Sequence, residues 1–114
     1  MKNSVLDSYI LDATQAFKDK LSTHYLTNQT ILFGSRARNT QHDQSDADIA
    51  VLLSGNSGKF LDTKFFMDDL AYEVLLETGV RIQPLPIWQL EWENPAIYSN
   101  PQLILNIKKE GILL

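Results

Sequence analysis

Residues 31–53 read ILFGSRARNTQHDQSDADIAVLL, and the fold turns on how they are read. Ile31-Leu32-Phe33 is a short apolar run that stops at Gly34. A polar, breaker-rich stretch follows from Arg36 to Ser45, and Asp46-Ala47-Asp48 then leads into Ile49-Ala50-Val51-Leu52-Leu53. The pattern is strand, sharp turn, loop, strand. Side chains alternate along a strand, so Asp46 and Asp48 point to the same face. Two carboxylates side by side at a strand end repel each other unless a cation lies between them. Mg²⁺ suits such a pair, because it takes oxygen ligands and brings substrate phosphates with it. Gly34 and Ser35 complement the acids. A glycine after a strand lets backbone approach a ligand closely, and N–H groups at a following helical turn suit a phosphate.

Gly34-Ser35, ten intervening residues and Asp46-x-Asp48 together resemble the signature of the polymerase-beta-type nucleotidyltransferase superfamily. The short chain and its closing Ile107-Lys108-Lys109-Glu110-Gly111-Ile112 resemble the minimal nucleotidyltransferases of that superfamily. Many of those are encoded beside a HEPN-domain protein and act as its antitoxin. The resemblance implies transfer of AMP from Mg-ATP to a partner protein, a HEPN-type ribonuclease toxin held in a hetero-oligomer. It assigns Asp46 and Asp48 as catalytic metal ligands, and Gly34, Ser35, Arg36 and Ser45 to the nucleotide. It also implies a third carboxylate on the next strand, within a Val-Asp-Leu-like triplet. Here that triplet is Val80-Arg81-Ile82, so Arg81 stands where the acid is expected, and Gln83 on the same face is no acid either. Glu73 and Glu77 are possible substitutes. A guanidinium stays charged and cannot serve as a base. The alternative is therefore a degenerate, nucleotide-binding antitoxin that neutralises its toxin by direct binding.

Composition bounds these readings. With 114 residues, 44% of them hydrophobic and 21% charged, the expectation is one nucleotidyltransferase domain over residues 1–114. A net charge of -4 argues against direct nucleic-acid binding, whereas a nucleotide held through a metal needs no basic surface. The absence of cysteine removes disulfides and thiolate metal sites. No apolar run reaches the roughly 20 residues of a membrane span. The N-terminus leads straight into an amphipathic pattern, so the expected location is cytoplasmic, away from any membrane.

Along the rest of the chain, Val5, Leu6, Tyr9, Ile10, Ala13, Phe17 and Leu21 predict a helix over 4–22, opened by a capping box at Ser4–Asp7. Residues 22–29 read as a connection and residues 54–58 as a loop. A second helix is expected over 61–77, with Leu61, Phe65, Phe66, Leu70, Val74 and Leu75 as its apolar stripe. Gly79 then ends it. Phe60, Phe65 and Phe66 read as core. Val80–Ile87 alternates as a third strand whose two prolines imply a sheet edge or an early end to pairing. Trp88, Trp92 and Tyr98 fall in an irregular stretch over 88–99, either as a satellite core or as a partner surface. A last helix is expected over 101–110. His24 and His42 have no metal-ligand spacing. The fold class is α/β (α+β), a small mixed sheet with helices packed on one side, in the polymerase-beta-like nucleotidyltransferase manner.

Overall fold

The computed structural model describes residues 8–38, 46–55 and 58–114. Its elements in chain order are α1 (Ser8–Ser22), β1 (Thr27–Phe33), β2 (Ala47–Leu53), α2 (Phe60–Thr78) and β3 (Ile82–Trp88). The short α3 (Gln89–Glu93), a 3₁₀ turn (Pro95–Ile97), α4 (Pro101–Glu110) and β4 (Ile112–Leu113) complete the chain. The four strands form one mixed sheet in the order β3-β2-β1-β4. β2 and β4 run antiparallel to β1, and β3 runs parallel to β2. Parallel neighbours need a crossover, and α2 supplies it.

Alternation along β2 separates two cores. Ile49, Val51 and Leu53 pack with Ile10 and Phe17 of α1 and with Met67 and Val74 of α2. Ala50 and Leu52 face the other way, where Trp92, Tyr98, Ile104 and Ile107 meet them. A strand covered on both faces needs an unbroken apolar run, which Ile49–Leu53 provides. The mixed sheet is as the sequence leads one to expect, and both long helices lie on one side of it. The α3–α4 segment covers the opposite face, an addition the sequence reading does not contain. The apolar stripe of α4 has its partner there.

Local chemistry explains the ends of the elements. The Gly79 backbone is left-handed at φ 79°, and its N–H donates to the Leu75 carbonyl at 2.8 Å, closing α2 as expected. Pro101 occupies the first turn of α4, and the Asn100 side chain accepts from the Leu103 N–H at 3.3 Å. Arg81 offers its carbonyl to the Ala47 N–H at 2.9 Å, so alternate residues of β3 turn their backbone groups toward β2. Pro84 and Pro86 fall on the other alternation, at the open edge, where a missing N–H costs no ladder bond. In α3, the Glu91 carboxylate accepts from the Trp88 N–H at 3.0 Å. Lys108 ties α4 to α3, donating to the Trp92 carbonyl at 2.7 Å and lying 5.0 Å from its ring centroid.

Several expectations are corrected. The first strand starts at Thr27 rather than Ile31, because polar Thr27, Gln29 and Thr30 still pair with β2 across a register shift. The proposed capping box at Ser4–Asp7 lies outside the described residues, as does His42. Residues 88–99 hold a short helix and a 3₁₀ turn, and Trp88, Trp92 and Tyr98 are all buried, so they are core rather than a partner surface. The buried strip of α2 is Met67, Leu70, Ala71 and Val74. Leu61 and Phe65, each 61% exposed, face outward, and Phe60 and Phe66 are more than a third exposed. The helix is apolar on more than one side, and packing on α1 and edge strand β3 selects only a narrow strip. Phe66 instead receives the His24 ring edge-on at 4.8 Å.

Denaturant titration separates these two kinds of phenylalanine. Phe17→Ala, at a fully buried position, is expected to cost about 3–5 kcal/mol. Phe65→Ala is expected to cost no more than about 0.5 kcal/mol.

Candidate active site

The site lies at the start of β2. Phe33 on β1, Asp48 on β2 and Gln83 on β3 form one rung across three strands. Parity places Asp48 on the sheet face that carries Ala50 and Leu52, beyond the cover given by α3 and α4. Asp46 precedes the strand on the same side. The expected pairing of the two acids is therefore present.

Gly34 turns the chain immediately after β1, with φ 75°. A Cβ added there would collide with the Asp48 carboxylate. Only glycine tolerates both the backbone angle and this approach. The Arg38 N–H donates to the Gly34 carbonyl at 3.1 Å, closing a single helical turn over 34–38 with Ala37 buried in the larger core. Ser35 and Arg36 sit half-buried in that turn. The glycine-serine turn and the second acid, 14 positions apart in sequence, are thus in direct contact. Ser45 lies outside the described residues.

Asp46 has two neighbours on β3's leading end. Gln83 Nε2 donates to its Oδ2 at 3.2 Å, and Arg81 Nε lies 3.8 Å from its Oδ1. Arg81 and Gln83 therefore both stand beside Asp46, Gln83 the closer of the two. Among the described residues no group of three His, Cys, Asp or Glu could hold a metal ion. Glu73 and Glu77 do not replace it. Both reach Lys20 of α1, at 4.0 and 2.7 Å, on the far side of the sheet. Asp46 and Asp48 are hard oxygen donors sharing one face, a donor set that fits Mg²⁺.

Burial pushes the Asp48 carboxyl above the ordinary carboxylate range. The neighbouring Asp46 charge adds to the rise, and Arg38 opposes it. Arg38 is also paired with Glu110 at the end of α4, at 3.6 Å. Nothing local in the sequence announces that contact, which joins positions more than seventy residues apart. Beside Arg81 and Gln83, a cavity of about 170 Å³ opens between β3 and α2, with Asp68, Tyr72 and Leu75 among its walls.

The family model described as "Polymerase beta, Nucleotidyltransferase" matches residues 15–114. A protein of Methanocaldococcus jannaschii named "Putative protein adenylyltransferase" is 31% identical over 85 residues, covering 75% of this chain and 54% of that protein. The chain thus spans about half the length of this curated relative. A crystal structure of a "putative nucleotidyltransferase" from Sulfolobus solfataricus superposes with a TM-score of 0.52 at 18% identity. The superposition covers 98% of this chain and 90% of that one, and the likeness is one of fold.

Two measurements test this geometry. Gly34→Ala should destabilise the fold by about 1–3 kcal/mol through the left-handed backbone and the collision with Asp48. In a double-mutant cycle, Asp48→Ala should recover a measurable part of that loss, whereas simple additivity would mean that the two residues do not meet. The second test uses pH. The folded chain holds the Asp48 proton more tightly than the unfolded chain, so ionising Asp48 destabilises the fold. That cost is absent below the ordinary carboxylate range and complete above the raised value. Asp48→Asn should therefore melt higher than the wild type at neutral pH, and the gap should close as pH falls through the carboxylate range.

Proposed function

Because the chain belongs to the polymerase beta nucleotidyltransferase family, we propose that it transfers AMP from Mg-ATP to a protein acceptor. The observation that carries this reading is the contact of Asp48 with Gly34, which sets the acid pair against the glycine-serine turn. The name borne by the archaeal relative supports a protein as acceptor. The reading takes residues 1–114 as one nucleotidyltransferase domain. Its acceptor, by the resemblance set out above, is a HEPN-type ribonuclease toxin for which this chain is the cytoplasmic antitoxin.

In this reading Asp46 and Asp48 hold the metal, and Gly34, Ser35, Arg36 and Ser45 seat the triphosphate. Bound Mg²⁺ would neutralise phosphate charge and orient the leaving pyrophosphate. The chain's residues position the α-phosphorus for in-line attack. The acceptor oxygen–phosphorus bond forms, the bond to the β-phosphate bridging oxygen breaks, and the acceptor proton passes to water. Arg81, at the position where the resemblance implies a carboxylate, cannot take that proton. Loss of a general base slows such steps by about 10²–10⁴-fold, so slow turnover is expected.

A second reading has its own observation. Asp46 is already engaged by Gln83 and Arg81, which favours a binder that neutralises its toxin with little or no transfer. Both readings require nucleotide binding. ATP with Mg²⁺ at a hundredfold excess over its dissociation constant should stabilise the fold by about 2.7 kcal/mol, roughly a 10 °C rise in Tm. Asp46→Asn with Asp48→Asn should abolish the rise, and a rise that survives in the double variant would remove the site. Labelled ATP then separates the readings. If Arg81 suppresses chemistry, Arg81→Asp should raise transfer to the partner at least tenfold. Robust wild-type transfer that Arg81→Asp destroys would make the arginine itself catalytic. No transfer from either protein, with neutralisation intact in both and in Asp46→Asn, would establish the binder.

A further inference from the structure

The outward face of α2 has no counterpart in the chemistry above. Leu61, Phe65, Tyr72 and Leu76 are 61, 61, 59 and 69% exposed. At 3.6 residues per turn their spacings place them within about 60° of arc, on a ridge about 22 Å long. That is an apolar stripe on a helix whose other side already packs on α1 and β3. Scattered apolar residues on a surface need no explanation, but an aligned row does.

Charge says what covers it. α2 carries Asp62, Asp68, Asp69, Glu73 and Glu77 against the single Lys64. Lys64 is spent on Asp68, and Lys20 of α1 on Glu73 and Glu77. Asp62 and Asp69 line one side of the ridge as exposed acids. This arrangement repels an anionic membrane, a nucleic acid and a second copy of the same face. The ridge also leads to the acid pair. Tyr72 belongs both to the stripe and to the cavity of about 170 Å³ that Arg81 and Gln83 share, and those two residues touch Asp46.

We propose that the outward face of α2 docks an amphipathic helix with basic flanks from the protein partner. Leu61, Phe65, Tyr72 and Leu76 form the apolar seam, and the cavity beside Tyr72 is the path by which the docked chain reaches Asp46. Ridges of one helix seat in the grooves of another at this spacing, and the acids set the partner's sign. The docking stands on the face itself and rests on the adenylyltransferase reading only for the use made of the docked chain.

The probe is a display library of 18-residue peptides with Leu or Phe at helical spacing and all other positions drawn equally from Lys, Arg, Asp, Glu and Gln. Selection on the full chain should return peptides of net positive charge. Their affinity should fall at least tenfold for Phe65→Ser with Leu76→Ser, and at least tenfold for Asp62→Lys with Asp69→Lys. The second pair keeps the test intact should the first disturb folding, which thermal melts report. The proposal is overturned if no peptide binds, if selected peptides are acidic, or if both variant pairs bind as the wild type does. Sedimentation showing a self-dimer that Phe65→Ser with Leu76→Ser dissolves would overturn it as well. The Mg-ATP melting shift is measured on the same samples. Lost docking with an intact shift discards this inference alone, and intact docking without a shift discards the nucleotide reading alone.

Discussion

The approach of the Asp48 carboxylate to the Gly34 backbone is the constraint on which the site depends. It favours glycine at residue 34, because φ 75° strains any other residue and a Cβ would push the Asp48 carboxylate aside. It also fixes strand register, since the contact requires Phe33 to stand opposite Asp48. A slip by one residue would send Asp48 to the face of α1 and α2 and bury a charge in the larger core. The apolar run Ile49–Leu53 enforces the register from the other end, because both faces of β2 are covered. Packing and chemistry therefore select the same alignment. Ionised Asp48 is the destabilising member of that bargain, held in place by a sheet that gains more from burial than it loses at one carboxylate.

Arg81 and Gln83 alter the site in two ways of unequal size. Their contacts with Asp46 are made at a half-exposed surface, with the Arg81 side chain 59% accessible and 3.8 Å away. An ion pair of that kind is worth at most about 1 kcal/mol. Such a pair is a small obstacle to any cation that Asp46 would take up. The larger change is at position 81 itself, where a guanidinium, which cannot accept a proton, stands in place of the carboxylate that the resemblance implies. The fold keeps the glycine-serine turn against the acid pair and carries an arginine and a glutamine on the neighbouring strand's approach to it.

Much of this was legible in the sequence because its causes are local. Gly34-Ser35, the Asp46/Asp48 pair, Gly79 at the end of α2, Pro101 at the start of α4 and the edge prolines of β3 each reflect a backbone or pairing rule acting over a few residues. What was not legible depends on partners distant in the chain. The apolar residues of α2 occupy more than one side, so periodicity alone could not say that Met67 and Val74 go inward and Leu61 and Phe65 outward. The cover of the second sheet face by α3 and α4 follows from where α4 returns, which no spacing encodes. Gln83 was visible as a neighbour of Arg81 by alternation, but its bond to Asp46 depends on the parallel register with β2.

The second core also acts on the site through charge. α4 is anchored to the sheet by Ile104 and Ile107 and to α3 by Lys108. Its last residue, Glu110, reaches Arg38 in the turn that begins at Gly34. Arg38 is the cation that offsets the burial and repulsion felt by Asp48. Glu110 and Asp48 thus share one guanidinium, and the position of α4 influences how much of that charge the acid pair feels. A triphosphate seated on the turn would join the same competition, drawing Arg38 toward the site and loosening its hold on Glu110. The C-terminal helix is for this reason an electrostatic part of the site, although it contributes no residue to the motif that identifies it.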